Sequence, residues 1–316
     1  MNGAVELSLI VPVKDEEAAI AAFVARVVPI LEGLDDPARS AFEILFIDDG
    51  SNDSTLECVR KANAADPRIR GLSLSRNFGK EAALSAGLDE AHGLAVIPLD
   101  VDLQDPPEVI AAMLAKWRQG YDVVYGVRDN RETDSLPKRL TADLYYRAHN
   151  WLSEDKIPEH AGDFRLLDRR VVEVIRRMPE RNRFMKGLFA WAGFRQAAVS
   201  YHREERKLGR TKFNYWKLWT LAIDGITSAS TVPLRVWSYL GGFVALAALA
   251  YALVIIVRTL AFGIDVPGYA SMMVAILFLG GLQLLSLGVL GEYVGRILTE
   301  TKGRPLYVVR ERIGER

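Results

Sequence analysis

Two stretches, Val236 to Val257 and Tyr269 to Gly291, contain no Asp, Glu, Lys or Arg. Each exceeds the roughly 20 residues that a helix needs to cross about 30 Å of hydrocarbon, where the backbone must satisfy its own hydrogen bonds. They read as two membrane spans, which sets the longer, charge-rich region before them apart as a soluble domain. The connection, Arg258 to Gly268, holds only Arg258 and Asp265 as charges. Arg210, Lys212, Lys217 and Arg235 precede the first span, and Arg296, Lys302, Arg304 and Arg310 follow the second. The positive-inside bias then puts both ends of the chain in the cytoplasm. No signal peptide is read at the start, because an acid-containing strand begins near Leu7. The single Cys58 fits a reducing compartment. Lys plus Arg equal Asp plus Glu at 40 each, so no nucleic-acid partner is implied.

In the soluble region apolar runs alternate with helical patterns: Leu7 to Val13 then Glu16 to Leu34, Glu43 to Ile47 then Ser54 to Ala65, and Ile69 to Leu74 then Lys80 to Ala91. Leu94 to Leu99 then Pro107 to Arg118 follow, and Asp122 to Tyr125 comes last. Short apolar strands separated by helices predict an α/β fold, a mostly parallel sheet covered on both faces, with ligands at the strand carboxyl ends.

The polar motifs fall at those ends. The strand Leu94 to Leu99 delivers Asp100-Val101-Asp102-Leu103-Gln104-Asp105-Pro106-Pro107. Two carboxylates one residue apart offer hard oxygen ligands to a divalent cation carrying a nucleotide diphosphate, although such a pair also forms turns and helix caps. After the first strand come Pro12 and Lys14-Asp15-Glu16-Glu17, where acids serve a ligand or complement the helix dipole. Asp48-Asp49-Gly50-Ser51 follows the second strand: Gly50 permits a sharp turn, Asp53 suits a helix cap, and Asp49 is left to accept from a base or ribose. Arg76 and Lys80 stand near a helix N-terminus after the third, where anionic oxygen is favoured. No G-x-G-x-x-G follows the first strand and no G-x-x-x-x-G-K-[ST] occurs, which excludes nicotinamide dehydrogenases and phosphate-loop kinases.

This ordered set, with Gly162-Asp163-Phe164-Arg165-Leu166, Arg183-Phe184-Met185-Lys186-Gly187, Arg203-Glu204-Glu205-Arg206, Gly209, Lys212 and the two spans, resembles the family 2 glycosyltransferases of GT-A fold. Within them it is similar to the polyprenyl-phosphate glycosyltransferases, which include dolichol-phosphate mannose synthases and bactoprenol glucosyltransferases. The resemblance implies a hexose, glucose from UDP-glucose, moved onto undecaprenyl phosphate in one inverting displacement at the cytoplasmic membrane. It implies Mg²⁺ or Mn²⁺ on Asp102, with Asp100 on the nucleotide sugar or metal and Gln104 as a further ligand. Pro12, Glu16, Asp49, Lys80 and Val101 would line the donor pocket. Lys14 and Asp15 depart from the family's usual aromatic residue and Asn.

The reaction brings two anionic groups together, so cations must offset their repulsion. Arg128, Arg203, Arg206 and Lys212 are the candidates for the acceptor phosphate, with Arg206 and Lys212 also catalytic; a juxtamembrane patch for anionic lipids is the other reading. The resemblance makes Asp163, read as standing just before a strand, the candidate general base. A phosphate monoester is already mostly ionised at neutral pH, with a second pKa near 6, so Asp163 serves equally as an orienting group. The polar stretch Arg128 to Arg139 is expected to order on substrate binding, and Asn214 to Val232 to lie at the membrane surface or pack as a buried helix.

The resulting division is a catalytic domain over residues 1–212, an interfacial region over 213–233, a two-helix membrane domain over 234–296 and a cytoplasmic tail over 297–316. Rival readings are a mannosyl or aminoarabinosyl transferase and a non-catalytic nucleotide-binding anchor. A homo-oligomer is left open. A processive polysaccharide synthase is disfavoured, since the chain has no Q-x-x-R-W motif and two spans are too few for a polymer channel.

Overall fold

The computed structural model describes residues 5–34, 41–128, 161–181, 183, 185–202, 232–262 and 268–314. They belong to two compact units, an α/β unit and a helical one.

The α/β unit is built on an eight-stranded sheet. Its strands are β1 (Leu7–Val13), β2 (Phe42–Asp48), β3 (Ile69–Leu74), β4 (Ala95–Pro98), β5 (Val123–Arg128), β6 (Ala161–Asp168), β7 (Gln196–Tyr201) and β8 (Val309–Ile313), in the order β7-β5-β6-β4-β1-β2-β3-β8. The pairs β1–β2, β1–β4, β2–β3 and β5–β7 are parallel. Strand β6 runs antiparallel to both β4 and β5, and β8 antiparallel to β3.

Both faces are covered, which explains why β1 and β2 read as nearly unbroken apolar runs. Leu9, Val11, Ile44 and Phe46 point to one side, where helices α1 (Glu17–Glu32), α2 (Thr55–Ala65) and α4 (Ile110–Arg118) contribute Phe23, Val27, Val59, Ile110 and Met113. Ile10, Leu45 and Ile47 point to the other. There α3 (Lys80–Glu90), α5 (Arg169–Arg177) and α6 (Met185–Trp191) supply Ala86, Leu88, Val172, Ile175 and Phe189. The alternation is the strand period of two, expressed as two separate cores.

One buried polar knot interrupts this pattern. Ser8 on β1 donates to Glu43 Oε1 on β2 at 2.6 Å, and the His92 amide donates to the same oxygen at 2.7 Å. Arg70 on β3 pairs with Glu43 Oε2 at 2.8 Å. Burial pushes the Glu43 carboxyl up, but the donors Ser8, His92 N–H and Arg70 outweigh it and hold the group below its ordinary value.

The segment after the spans, expected as a tail, contributes the edge strand β8. Gly71 of β3 leaves room for Ile313, whose side chain would lie 3.2 Å from an added Cβ. Arg60–Glu311 at 2.6 Å and Arg312–Glu90 at 2.8 Å flank the strand.

The helical unit holds α7 (Val232–Phe262) and α8 (Tyr269–Thr301), of 31 and 33 residues. At about 1.5 Å per residue each is longer than the roughly 30 Å hydrocarbon layer. Tyr239, Phe243, Leu246 and Tyr251 on α7 and Phe278, Leu284 and Leu287 on α8 are exposed. An apolar surface of that extent suits a lipid solvent. The charged Glu292 and Arg296, an ion pair at 3.0 Å, fall in the later turns of α8.

Candidate active site

The parallel strands β1, β2, β3 and β4 all end at one edge of the sheet, and their following loops are laced together. Asp15, in the left-handed region at φ 51°, accepts from the Asn52 amide at 2.8 Å, while its own N–H donates to Ser51 Oγ at 2.9 Å. Lys14 Nζ donates to the Gly50 carbonyl at 2.8 Å. Lys14 and Asp15 therefore join the first two loops.

Ser54, not Asp53, is the N-cap of α2 and makes no side-chain capping bond, while Asp53 before it accepts from the first amides of two helices. Its Oδ1 accepts from the Thr55 amide at 3.0 Å and its Oδ2 from the Glu17 amide at 3.3 Å. Glu16 occupies the N-cap of α1 without a side-chain capping bond, and its amide donates to Thr55 Oγ1 at 2.9 Å. Pro12 lies in β1 opposite Ile47, two residues past the last pair with β4.

The consecutive aspartates divide their work. Asp48 accepts from Ser73 Oγ and the Ser51 amide, closing the turn. Asp49, 5 % exposed, accepts from the Phe78 amide at 2.7 Å and the Gly79 amide at 2.9 Å. Its carboxylate, assigned from sequence to a base or ribose, thus holds the loop that leads into α3. Burial raises the Asp49 carboxyl above its ordinary range, against the pull of those two amides and of Lys14. Gly50 sits at φ 65°, and an added Cβ would fall 2.6 Å from the Arg76 carbonyl carbon. Only glycine lets these two loops approach so closely.

The loop held by Asp49 presents Lys80 at the first turn of α3. Lys80 Nζ lies 2.7 Å from Asp100 Oδ1. Their side chains are 45 % and 42 % exposed, so the pair contributes little stability, about 0–1 kcal/mol, and can be exchanged for a ligand. Asp102 Oδ1 accepts from the Gln104 amide at 3.2 Å. Between them Leu103 adopts φ 55°, a conformation costing about 1–2 kcal/mol for a residue with a Cβ. The side chain of Val101 turns into the core at 6 % exposure.

Asp163 lies inside β6 rather than before a strand. That strand pairs with β4 through Ala95↔Asp168 and Val96↔Leu167. An antiparallel strand thus carries its amino-terminal end to the edge where β4 ends. Arg128 ends β5 and pairs in register with Tyr201, which ends β7. Arg203, Arg206 and Lys212, the loop over 129–139 and the interfacial segment over 214–231 lie outside the described residues.

Two participants gave little sign in the sequence. Tyr201, 4 % exposed, donates its hydroxyl to Asp105, 9 % exposed, and the Phe164 ring meets it edge-on at 5.8 Å. Gly126 is required beside that ring, since a Cβ there would lie 2.6 Å from Tyr201 Cε1. Asp105 was legible as part of its motif, but its partner about a hundred residues away was not.

Among the described residues no group of three or more His, Cys, Asp and Glu side chains could hold a metal. The two carboxylates at 100 and 102 fit a cation that takes its other ligands from substrate phosphate and water, the usual habit of Mg²⁺.

Residues 8–176 match the glycosyl transferase family 2 model, and residues 232–297 match the GtrB C-terminal hairpin model. The chain belongs to glycosyl transferase family 2. It is accordingly a glycosyltransferase of GT-A fold, whose mixed, mostly parallel sheet is followed by the two long helices. A bactoprenol glucosyl transferase of Shigella phage SfX is 51 % identical over 307 residues, covering 97 % of this chain and 99 % of that protein. A prophage bactoprenol glucosyl transferase homolog of Escherichia coli K12 is 50 % identical over 305 residues, covering 96 % and 98 %. Among solved structures, a mannosyltransferase from Pyrobaculum calidifontis in complex with GDP-Man and Mn²⁺ gives a TM-score of 0.48 at 18 % identity over 95 % of this chain and 84 % of that one.

Proposed function

We propose that this glycosyltransferase moves glucose from UDP-glucose onto the phosphate of undecaprenyl phosphate, with inversion, at the cytoplasmic face of the membrane. The observation that carries the reading is the convergence of Asp100, Asp102 and the Asp49-held Lys80 loop at one sheet edge, in a chain whose end-to-end relatives bear the bactoprenol glucosyl transferase name.

In this reading Asp102 and Asp100 hold Mg²⁺ or Mn²⁺ with the donor diphosphate, and Gln104 is a further candidate ligand. When bound, the ion supplies Lewis-acid stabilisation of the departing diphosphate. Pro12, Glu16, Asp49 and the Val101 backbone border the nucleotide. Lys80 leaves Asp100 for the diphosphate, exchanging one anionic partner for another. A phosphate oxygen of the lipid forms the new bond to the anomeric carbon as the bond to the diphosphate breaks, and UDP departs.

Because the acceptor is already ionised at neutral pH, Asp163 orients it more than it deprotonates it. Arg128, Arg203, Arg206 and Lys212 offset the charge of the two phosphate groups. Catalytic residues 1–212, a surface-lying segment over 213–233 and spans within 234–296 make up the working division.

The topology has a structural support. If α7 and α8 both cross, the chain on either side of them lies on one face, and β8 pairs with β3 in the same sheet as β1 and β2. The flanking Lys and Arg residues assign that face to the cytoplasm.

The test is to incubate the purified full chain with undecaprenyl phosphate, Mg²⁺ and a panel of UDP- and GDP-sugars, and to identify the glycolipid by mass. A hexosyl phospholipid from UDP-glucose is expected. Product from GDP-mannose alone would overturn the glucose assignment.

A further inference from the structure

The turn that carries Asp100 and Asp102 is strained at Leu103 and rests at its far end on a buried group. Asp105 lies just before Pro106 and Pro107, which stiffen the entry to the next helical turns over Pro107–Val109. Its carboxylate is buried and accepts the Tyr201 hydroxyl. Tyr201 in turn is fixed on three sides: its backbone pairs with Arg128, its ring meets Phe164, and the absent Cβ of Gly126 makes the space it fills. The hydroxyl therefore ties the turn, with its positive φ at Leu103, to a packed side chain at the end of β7.

We propose that Tyr201 is a positioning residue for the donor site, acting through Asp105 to hold the 100–105 turn in the shape that presents Asp100 and Asp102 together. Tyr201 touches neither substrate nor metal in this account. It ends β7 two residues before Arg203, so one side chain links the turn to the strand from which the basic segment departs. The proposal rests on the reading of Asp100 and Asp102 as the donor and metal carboxylates.

The test compares wild type, Tyr201→Phe, Asp105→Ala, the double variant and Asp102→Ala as full-length proteins in detergent. UDP binding in a Mn²⁺ titration is measured by calorimetry, alongside donor KM, kcat and melting temperature. Tyr201→Phe keeps the ring packing and removes one hydroxyl. It is expected to weaken Mn²⁺-dependent UDP binding and raise donor KM about tenfold, the size of one lost buried hydrogen bond to a charged group, with kcat changed much less. In the Asp105→Ala background the same change should add less than about twofold, because the contact that Tyr201→Phe removes is already gone.

A role in folding alone would lower the melting temperature and the active fraction while leaving UDP affinity and KM at wild-type values, and that result overturns the proposal. Additive effects of the two single changes also overturn it. If Asp102→Ala binds UDP with undiminished Mn²⁺ dependence, the reading of the donor site itself fails, whatever Tyr201→Phe does.

Discussion

Asp49→Ala isolates the clamp between the second and third loops. The change removes the acceptor for two backbone N–H groups, held at 2.7 Å and 2.9 Å by a carboxylate that is 5 % exposed. A hydrogen bond to a charged group contributes about 1.5–3 kcal/mol, so the pair has a gross value of roughly 3–6 kcal/mol. Two effects reduce it. Phe78 and Gly79 are half-buried, so water rehydrates their amides in part, and the carboxylate no longer bears the burial that raises its pKa. A net loss of about 2–3 kcal/mol remains, and at roughly 2–4 °C per kcal/mol for a domain of this size the melting temperature should fall by about 4–12 °C. The released loop also carries Lys80, so donor KM should rise about tenfold, the equivalent of one such contact. Thermal unfolding by intrinsic fluorescence and a donor titration on the same detergent-purified protein read both effects. An unchanged melting temperature with an unchanged KM would refute the assignment of Asp49 as the clamp.

Gly50→Ala meets backbone atoms of residues 76 and 77 at 2.6–2.9 Å as well as its own φ of 65°, whereas Gly79→Ala meets only an unfavourable φ of 99° with nothing within 4 Å. The first variant should therefore be the less stable by about 1–3 kcal/mol in matched unfolding experiments, and equal losses would contradict the close approach of the two loops. The Glu43 knot predicts a pH dependence. Its folded carboxyl titrates below the ordinary 4.5, so its stabilisation is complete above that value and is lost as pH falls through the folded pKa. Glu43→Gln should be less stable than wild type at neutral pH but lose less further stability on acidification from about pH 5 to pH 3, followed by thermal melts. A steeper acid loss in the variant would argue against the knot.

The strands with uninterrupted apolar character were legible because burial on both faces leaves one pattern for each. β1 and β3 have the bounds read from their residues, and β2 differs by a residue at each end. Strand β6 was legible only as a strand beginning after Asp163, which the structure places inside it, and β7 and β8 were not legible. Gln196–Tyr201 is a half-exposed edge strand, and Val309–Ile313, at the other edge, carries three consecutive charged residues between two apolar ones. The strand within the carboxyl-terminal segment was not visible for that reason: the pairing of β8 depends on Gly71, Val59 and Arg60, far away in sequence. At the site, the residue types at 49, 80, 100 and 102 were visible as motifs. Their partners were not, because Asp49 to the Phe78 amide and Tyr201 to Asp105 are long-range contacts that leave no periodic trace.

In the proposed reaction Asp102, with Asp100, carries a divalent ion and the donor diphosphate to a lipid phosphate. It is tested most directly by transfer of labelled glucose from UDP-glucose to undecaprenyl phosphate, with wild type and Asp102→Ala each assayed in Mg²⁺ and after exhaustive EDTA treatment. Lipid-linked glucose is expected from wild type only with the metal, with a loss of about a hundredfold or more in Asp102→Ala, the scale on which removal of transition-state charge stabilisation is felt. Full turnover by Asp102→Ala, or by EDTA-treated wild type, would contradict it.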